Sequence, residues 1–428
     1  MGEGTRPVVT ETVLPNGCRL WVEEMADVRS VAAGVWFDAG SRDDPADAAG
    51  VAHLLEHMLF KGGAGRDARA LAQAMDRLGG QFNAFTSKEH TCFHARMRDT
   101  QFREGLGLLA DLVVRAHLDA GDLERERQVV LSELAMIADD PAETADEIFA
   151  AALWGDHGLG RPQAGTAESV SRCRAETVRR FYREHWVAAR AVITVAGAVR
   201  PDEAAAAVAE AFADLPAGAP RPERPNPLPR RLAVRQFRAA EQSHLVVGAP
   251  GPCLGDPARY ATEILVSALG GSPSSRLFQS LREERGLCYD VGAAAAAHAD
   301  AGEVAVFVAA PPDRAPEAAR LLIAEIERVQ QDGLDTDELE LHRAQLLAGL
   351  WMGLEGTESR MARLGRHAVA GLPLEEPDAI SRRLQGVTAE DVLGAARALG
   401  PVSSWAAAFV GPRPGLLPDW RWSEAPAA

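Results

Sequence analysis

The chain has 428 residues, of which 47% are hydrophobic and 25% charged, a balance that suits a soluble globular protein with two domains of about 200 residues each. A net charge of −16 argues against nucleic acid and anionic membranes as partners. No apolar run approaches a membrane span, residues 1–6 carry no signal or transit pattern, and the scattered cysteines read as free thiols, so a cytoplasmic location is expected.

In chain order, the first segment with a chemical signature is residues 50–60, which contains His53-Leu54-Leu55-Glu56-His57. At about 100° per residue, His53, Glu56 and His57 fall on one side of a helix and Val51, Leu54, Leu55 and Met58 on the other. Two His four apart can reach one divalent ion, with the carboxylate between them standing beside it as a base. The order is the inverse of the commoner His-Glu-x-x-His helix. Zinc hydrolases use three protein ligands and leave a fourth position for water, so a further ligand is required from another element. The alternation of residues 91–97 predicts a strand. Residues 121–134 predict a helix with an acidic first turn, on which Glu126 and Glu133, seven apart, share a face beside the apolar stripe of Leu123, Val130, Leu134 and Ile137.

Residues 191–197 read as a strand, and the Pro-rich residues 215–229 read as an extended linker. Beyond it, residues 303–308 predict a strand, and residues 311–331 and 335–350 predict amphipathic helices. The two halves echo each other: residues 121–134 align without gaps on 337–350, and 191–197 on 405–411. In that alignment Glu126 faces His342 and Glu133 faces Gly349, while the counterpart of the pentad, near residues 262–267, has no paired His. The apolar framework repeats and the ligands do not. His90, Cys92 and His94 alternate and share a strand face, a weaker rival for a soft metal with no fourth ligand nearby.

The chain resembles the pitrilysin-type (inverzincin, M16) metallopeptidases, as a short bacterial member similar to the catalytic subunit of the mitochondrial processing peptidase. The resemblance rests on the His-x-x-Glu-His pentad and on a glutamate about seventy-five residues further on; here Glu133 lies seventy-six positions after His57. It also rests on Gly40-Ser41-Arg42 and Gly50, on Met58-Leu59-Phe60-Lys61-Gly62, on residues 79–87, and on Val129-Val130-Leu131-Ser132-Glu133-Leu134. It implies His53, His57 and Glu133 as ligands of one Zn2+ per chain, Glu56 as the general base, and Glu126 as a second glutamate supporting the site. It further implies an α+β fold of two homologous domains, each a mostly antiparallel sheet with helices packed on one face. The expected division is a metal-binding catalytic domain at 1–215, a linker at 216–232 and a metal-free homologous domain at 233–428.

In residues 275–289, Arg282 and Tyr289 match an Arg and Tyr, seven apart, that in the family face the zinc site from the second half. A phenol can donate to a carbonyl oxygen as charge develops on it, and a guanidinium can hold substrate backbone. Residues 81–86 are a candidate edge strand on which an extended peptide could pair, with Asn83 and Phe85 as substrate-binding candidates. The expected activity is zinc-dependent cleavage of extended peptides or short unfolded proteins in a closed chamber. The assembly expected is a homodimer, with a heterodimer containing an inactive companion as the alternative. Two other functions remain open: a maturase dedicated to one leader peptide or cofactor precursor, and a non-catalytic scaffold subunit.

Overall fold

The computed structural model of the chain describes residues 9–412 and 420–425; residues 1–6, read above for targeting signals, lie outside these. The strands are β1 (Val9–Val13), β2 (Arg19–Glu24), β3 (Ser30–Phe37), the short ribbon β4 (Gly62–Gly63) and β5 (Arg66–Asp67), β6 (Gln81–Thr86), β7 (Thr91–Arg98) and β8 (Ala191–Gly197). They continue with β9 (Ala233–Phe237), β10 (Ser243–Gly251), β11 (Asp290–Ala297), β12 (Gly302–Ala310), β13 (Ala406–Gly411) and β14 (Trp422–Glu424). The helices are α1 (Val51–Leu59), α2 (Ala68–Leu78), α3 (Phe102–Val114), α4 (Ala120–Asp139), α5 (Pro141–Trp154), α6 (Ala167–Arg172) and α7 (Ala175–His185). After these come α8 (Pro201–Ala211), α9 (Arg259–Gly270), α10 (Ala315–Asp332), α11 (Thr336–Gly353), α12 (Thr357–Val369), α13 (Pro377–Gly386) and α14 (Ala389–Ala398). Among the described residues no helix is long and apolar enough to cross a membrane.

The fold is α+β, with two six-stranded sheets in the orders β1-β2-β8-β3-β7-β6 and β11-β12-β10-β13-β9-β14. The first is antiparallel except where β2 runs beside β8. The second is antiparallel from β11 to β13 and parallel at β13–β9 and β9–β14. Read from opposite ends, β2-β8-β3-β7-β6 and β9-β13-β10-β12-β11 have the same strand directions in the same succession, so the echo in the sequence is a duplication of topology.

Two compact units are present, and neither is continuous in sequence. The first comprises Met1–Leu134, Pro162–Arg224 and Met352–Leu374, the second Ala135–Arg161, Pro225–Trp351 and Glu375–Ala428. These units cross the linear boundaries at 215 and 233 because α5 packs with the second sheet and α12 with the first. In the first unit, Leu54, Leu55 and Met58 of α1 join Phe37, Phe93 and Trp186 in the main core on one sheet face. The other face carries Met361, Leu364 and Ala368 of α12 against Ala32, Trp36 and Val192. Gly365 admits this packing, since a Cβ there would come within 1.9 Å of the Trp36 ring. In the second unit the main core includes Leu265 and Leu269 of α9 with Val306 and Phe409. Phe149 and Leu153 of α5 cover the opposite face against Val246, Ala408 and Val410. The helix on the second face of each sheet adds to the one-sided packing expected.

The Pro-rich stretch has no helix or strand, yet it is fastened along its length. Ala188 and Ala189 N–H donate to Pro216 and Ala217 O in the first unit (2.7 and 2.9 Å). In the second, Arg230 and Leu232 N–H donate to Leu153 and Ala152 O (2.7 and 3.0 Å). The five cysteines are unpaired; burial pushes the Cys18 thiol up to about 12 and those of Cys173 and Cys288 to about 11, which keeps all three as inert thiols.

His185, at the end of α7, stacks on Phe181 with centroids 4.2 Å apart, and its Nδ1 accepts from Arg190 Nη1 at 2.9 Å. That acceptor role requires the neutral ring. Burial, then Arg190, with Arg224 and Arg221 adding to it against the opposing Asp43, hold its pKa down at about 4. An unfolded His titrates near about 6.5, so this contribution is complete above that pH and is lost as pH falls toward 4. His185→Gln, which keeps an acceptor and does not titrate, is expected to lose about 1–2 kcal/mol less stability than wild type between pH 7 and 4.5. Urea unfolding across that range checks this; identical acid slopes in the two proteins contradict it.

Candidate metal centre

The metal signature sits on α1, whose position is fixed from both sides of its polar end. Its apolar residues Val51, Ala52, Leu54, Leu55, Met58 and Leu59 are buried. Gly50, before the first turn, has φ 90° and provides no side-chain cap. Asp44 supplies the cap from six residues upstream, its carboxylate accepting from Gly50 N (2.6 Å) and Ala52 N (3.1 Å). A carboxylate at a helix N-terminus also complements the helix dipole. A Cβ at Gly50 would lie 2.4 Å from Ala164 O, so the left-handed φ and the close approach together call for glycine. With the apolar side seated in the core, His53, Glu56 and His57 are left half-buried on the opposite side.

The opposing carboxylates come from α4. Leu123 and Val130 are buried and seat this helix, leaving Glu126 buried and Glu133 half-exposed on one face. His53 Nε2 lies 3.9 Å and His57 Nε2 3.6 Å from Glu133 Oε2. Among the described residues, His53, His57 and Glu133 are the one group of three such side chains whose ligand atoms converge, all within 4.8 Å of one another. The set His90, Cys92 and His94 does not converge in this way: Cys92 is fully buried and His94 Nδ1 lies 3.2 Å from Glu358 Oε1.

Two imidazoles and one carboxylate are the donor types of a catalytic zinc, and bonds of about 2.0–2.1 Å in a tetrahedron put ligand atoms about 3.4 Å apart. The Glu133 separations of 3.9 and 3.6 Å are near that spacing, and the wider spread of the three ligand atoms, up to 4.8 Å, calls for rotation of the imidazoles as well as of the half-exposed Glu133. Burial, then the neighbouring His57, hold His53 down at about 4, so its ring is neutral at pH 7 and has a lone pair to offer. Its Nδ1 is buried with no hydrogen-bond partner among the described residues. His57 is better buttressed: its Nδ1 lies 3.3 Å from Glu126 Oε2, an N–H···O contact that leaves the Nε2 lone pair facing Glu133. Glu126 Oε1 in turn lies 2.8 Å from Lys61 Nζ. Glu56 accepts from the Thr86 hydroxyl at 2.5 Å. Burial raises the Glu56 carboxyl above its ordinary range, with the Thr86 hydrogen bond and His57 opposing.

Strand β6 ends the first sheet, so its outer edge has no neighbouring strand among those described. Asn83 and Phe85 are exposed and share one face of it, while Thr86 is buried on the other. The Asn83 side chain accepts from Ala84 N (2.9 Å), and Phe85 stacks edge-on to Trp36 (5.7 Å) and His90 (6.0 Å). Arg282 and Tyr289 belong to the second unit and touch each other. The Arg282 guanidinium, on the π-helical turn Phe278–Glu283, lies 4.6 Å over the Phe278 ring and 5.0 Å over the Tyr289 ring, and Tyr289 is 72% exposed.

Sequence reasoning missed Asp44, Lys61 and Thr86. Lys61 and Thr86 lie inside the stretches that carried the family resemblance, but only folding shows which way they point. Asp44 is too far from the helix start for capping rules to find. If Lys61 holds Glu126 oriented toward His57, Lys61→Met weakens zinc binding by about 10-fold or more and Lys61→Arg largely restores it. Competition with a chromophoric chelator measures this; equal zinc affinity in wild type and Lys61→Met contradicts it.

A family model described as Insulinase (Peptidase family M16) matches residues 20–167, and one described as Peptidase M16 inactive domain matches residues 172–346. A protein of Mycobacterium tuberculosis named as an uncharacterized zinc protease is 40% identical over 395 residues, 91% of this chain and 90% of that protein. One of the same description from Bacillus subtilis is 33% identical over 384 residues, 90% of this chain and 94% of that protein. The crystal structure of a peptidase M16 inactive domain from Pseudomonas fluorescens matches with a TM-score of 0.90, covering 95% of this chain and 98% of that one. At 23% identity it speaks for the fold alone. Family models over both halves and relatives aligned along nearly their whole length lead to one conclusion: this chain belongs to peptidase family M16.

Proposed function

We propose that the chain is a zinc endopeptidase that hydrolyses extended peptides or short unfolded proteins, with one Zn2+ per chain held by His53, His57 and Glu133. The observation that carries this reading is the convergence of those three side chains from α1 and α4, with Glu56 beside them. A zinc ion there would supply Lewis acidity, polarising the scissile carbonyl and acidifying a water. Glu56 takes the water proton and passes it to the departing amine. The Thr86 hydroxyl holds that carboxylate in place, and its raised pKa suits a group that must bind a proton and then release it. Glu126 orients the His57 ring, and Lys61 holds Glu126.

Substrate recognition in this reading is mainly of backbone. An extended peptide adds to the bare edge of β6 by main-chain hydrogen bonds, with Asn83 and Phe85 meeting side chains on one face. In the homodimer, Arg282 and Tyr289 reach the zinc site of the partner chain, the guanidinium holding substrate backbone and the exposed phenol donating to the carbonyl oxygen. The assembly is a homodimer in the cytoplasm whose closed chamber admits unfolded chains; sedimentation as an active monomer contradicts the dimer.

Glu56→Gln keeps the shape of the site and removes the base. It is expected to retain about one zinc per chain while cleavage of an unstructured peptide mixture falls by about 10²- to 10⁴-fold. Metal analysis and peptide mass spectrometry on both proteins test this. Undiminished cleavage by the variant removes Glu56 from its role.

A further inference from the structure

We infer that Arg224, on the Pro-rich segment, is a positioning residue for Glu56 and for the start of α1; its place in catalysis rests on the zinc-peptidase reading above. Its side chain is 8% exposed and surrounded by carboxylates. The fork donates to Asp43 twice, from Nε to Oδ1 at 2.8 Å and from Nη2 to Oδ2 at 2.6 Å. Nη2 also donates to the Glu89 main-chain O at 2.8 Å and lies 3.1 Å from Asp38 Oδ1, and Nη1 lies 3.5 Å from Glu89 Oε1. One guanidinium thus joins two strips of backbone, the loop at 38–44 and the β6–β7 turn at 87–90.

The same strips meet along their main chains. Ser41 N–H donates to Ser87 O (3.0 Å) and Arg42 N–H to Lys88 O (2.7 Å). Gly40 lies so close that a Cβ would sit 2.3 Å from Ser87 O. Asp38, Asp43 and Glu89 are matched by Arg221, Arg224 and Arg42: Arg221 Nε lies 2.8 Å from Asp38, and Arg42 Nη1 2.6 Å from Glu89. Desolvation works against the Arg224 charge, and the Asp43 hydrogen bonds with the charges of Asp43, Asp38 and Glu89 outweigh it, so the guanidinium stays charged.

Two arms lead from this seam to the site. Asp44, next to Asp43, caps α1 through Gly50 and Ala52, and so sets where the helix carrying His53, Glu56 and His57 begins. Thr86, next to Ser87, donates to Glu56. Removing Arg224 leaves Asp43 without its buried cation and Asp38 and Glu89 with one arginine each, Arg221 and Arg42, so one carboxylate in the seam is uncompensated and the fork that spans loop and turn is gone. The two main-chain bonds and the Arg42–Glu89 pair remain, so the seam loosens rather than parts, and both supports become more mobile without loss of a zinc ligand.

The test compares wild type with Arg224→Gln and the milder Arg224→Lys, both as full-length zinc-loaded protein. Amide hydrogen exchange is followed for residues 50–59, 84–91 and, as an internal control, β8. Arg224→Gln is expected to exchange faster in the first two segments and not in β8, with Arg224→Lys intermediate. On a fluorogenic peptide its kcat falls about 10- to 100-fold at unchanged KM and unchanged zinc content, and Arg224→Lys recovers part of it. Wild-type exchange in both segments overturns the inference, and so does a loss of kcat that tracks loss of zinc or general unfolding. If wild type cleaves no peptide, the peptidase reading fails, and the exchange data alone still decide whether Arg224 holds Thr86 and the start of α1.

Discussion

The site depends on how α1 meets α4. Each helix is seated by its own apolar stripe, so neither can rotate without pulling buried leucines from the core, and their polar faces are turned together as a consequence. Glu126 lies at the centre of that contact, 6% exposed. A lone carboxylate at such a depth would cost several kcal/mol, and Lys61 on one oxygen with His57 on the other is what makes it tolerable. With Glu126 fixed, Glu133 is carried two helical turns further along the same face to the two Nε2 atoms, and Glu56 is brought against Thr86.

The second unit shows the same frame with different chemistry. Strand directions repeat in order, and α11 repeats α4, but His342 and Gly349 occupy the places of Glu126 and Glu133. His342 is buried and its Nδ1 lies 3.0 Å from Ser267 Oγ on α9, so a neutral hydrogen bond joins two helices that in the first unit meet through charged groups. Each sheet is also closed on its second face by one helix distant in sequence. In both units a glycine makes room for an aromatic ring there, Gly365 for Trp36 and Gly248 for Phe149. The duplicated part is therefore the packing, and among the described residues the converging His and Glu side chains belong to one copy.

What could be read beforehand was whatever is written in periodicity. The division of α1 into a buried face and a polar one, the placement of Glu126 and Glu133 on one side of α4, and the strands expected at 91–97 and 303–308 all follow from spacings of 3.6 and 2. Three things were not legible. The units cross the Pro-rich boundary because α5 and α12 pack with sheets remote in sequence, which no local pattern records. The cap of α1 comes from Asp44 across an irregular loop. The Pro-rich segment reads as a tether, yet it is pinned to its surroundings at both ends. Prolines exclude helix and strand but do not exclude main-chain hydrogen bonds from neighbours or a buried arginine such as Arg224.

Zinc K-edge X-ray absorption on the metal-loaded wild-type protein and on Glu133→Gln tests the central claim most directly. The account predicts about four N/O donors at about 2.0–2.1 Å in wild type, two of them imidazole, with no sulfur, and zinc binding in Glu133→Gln weakened by at least about 10-fold. A sulfur-containing or six-coordinate shell, or undiminished binding without the Glu133 carboxylate, would contradict it.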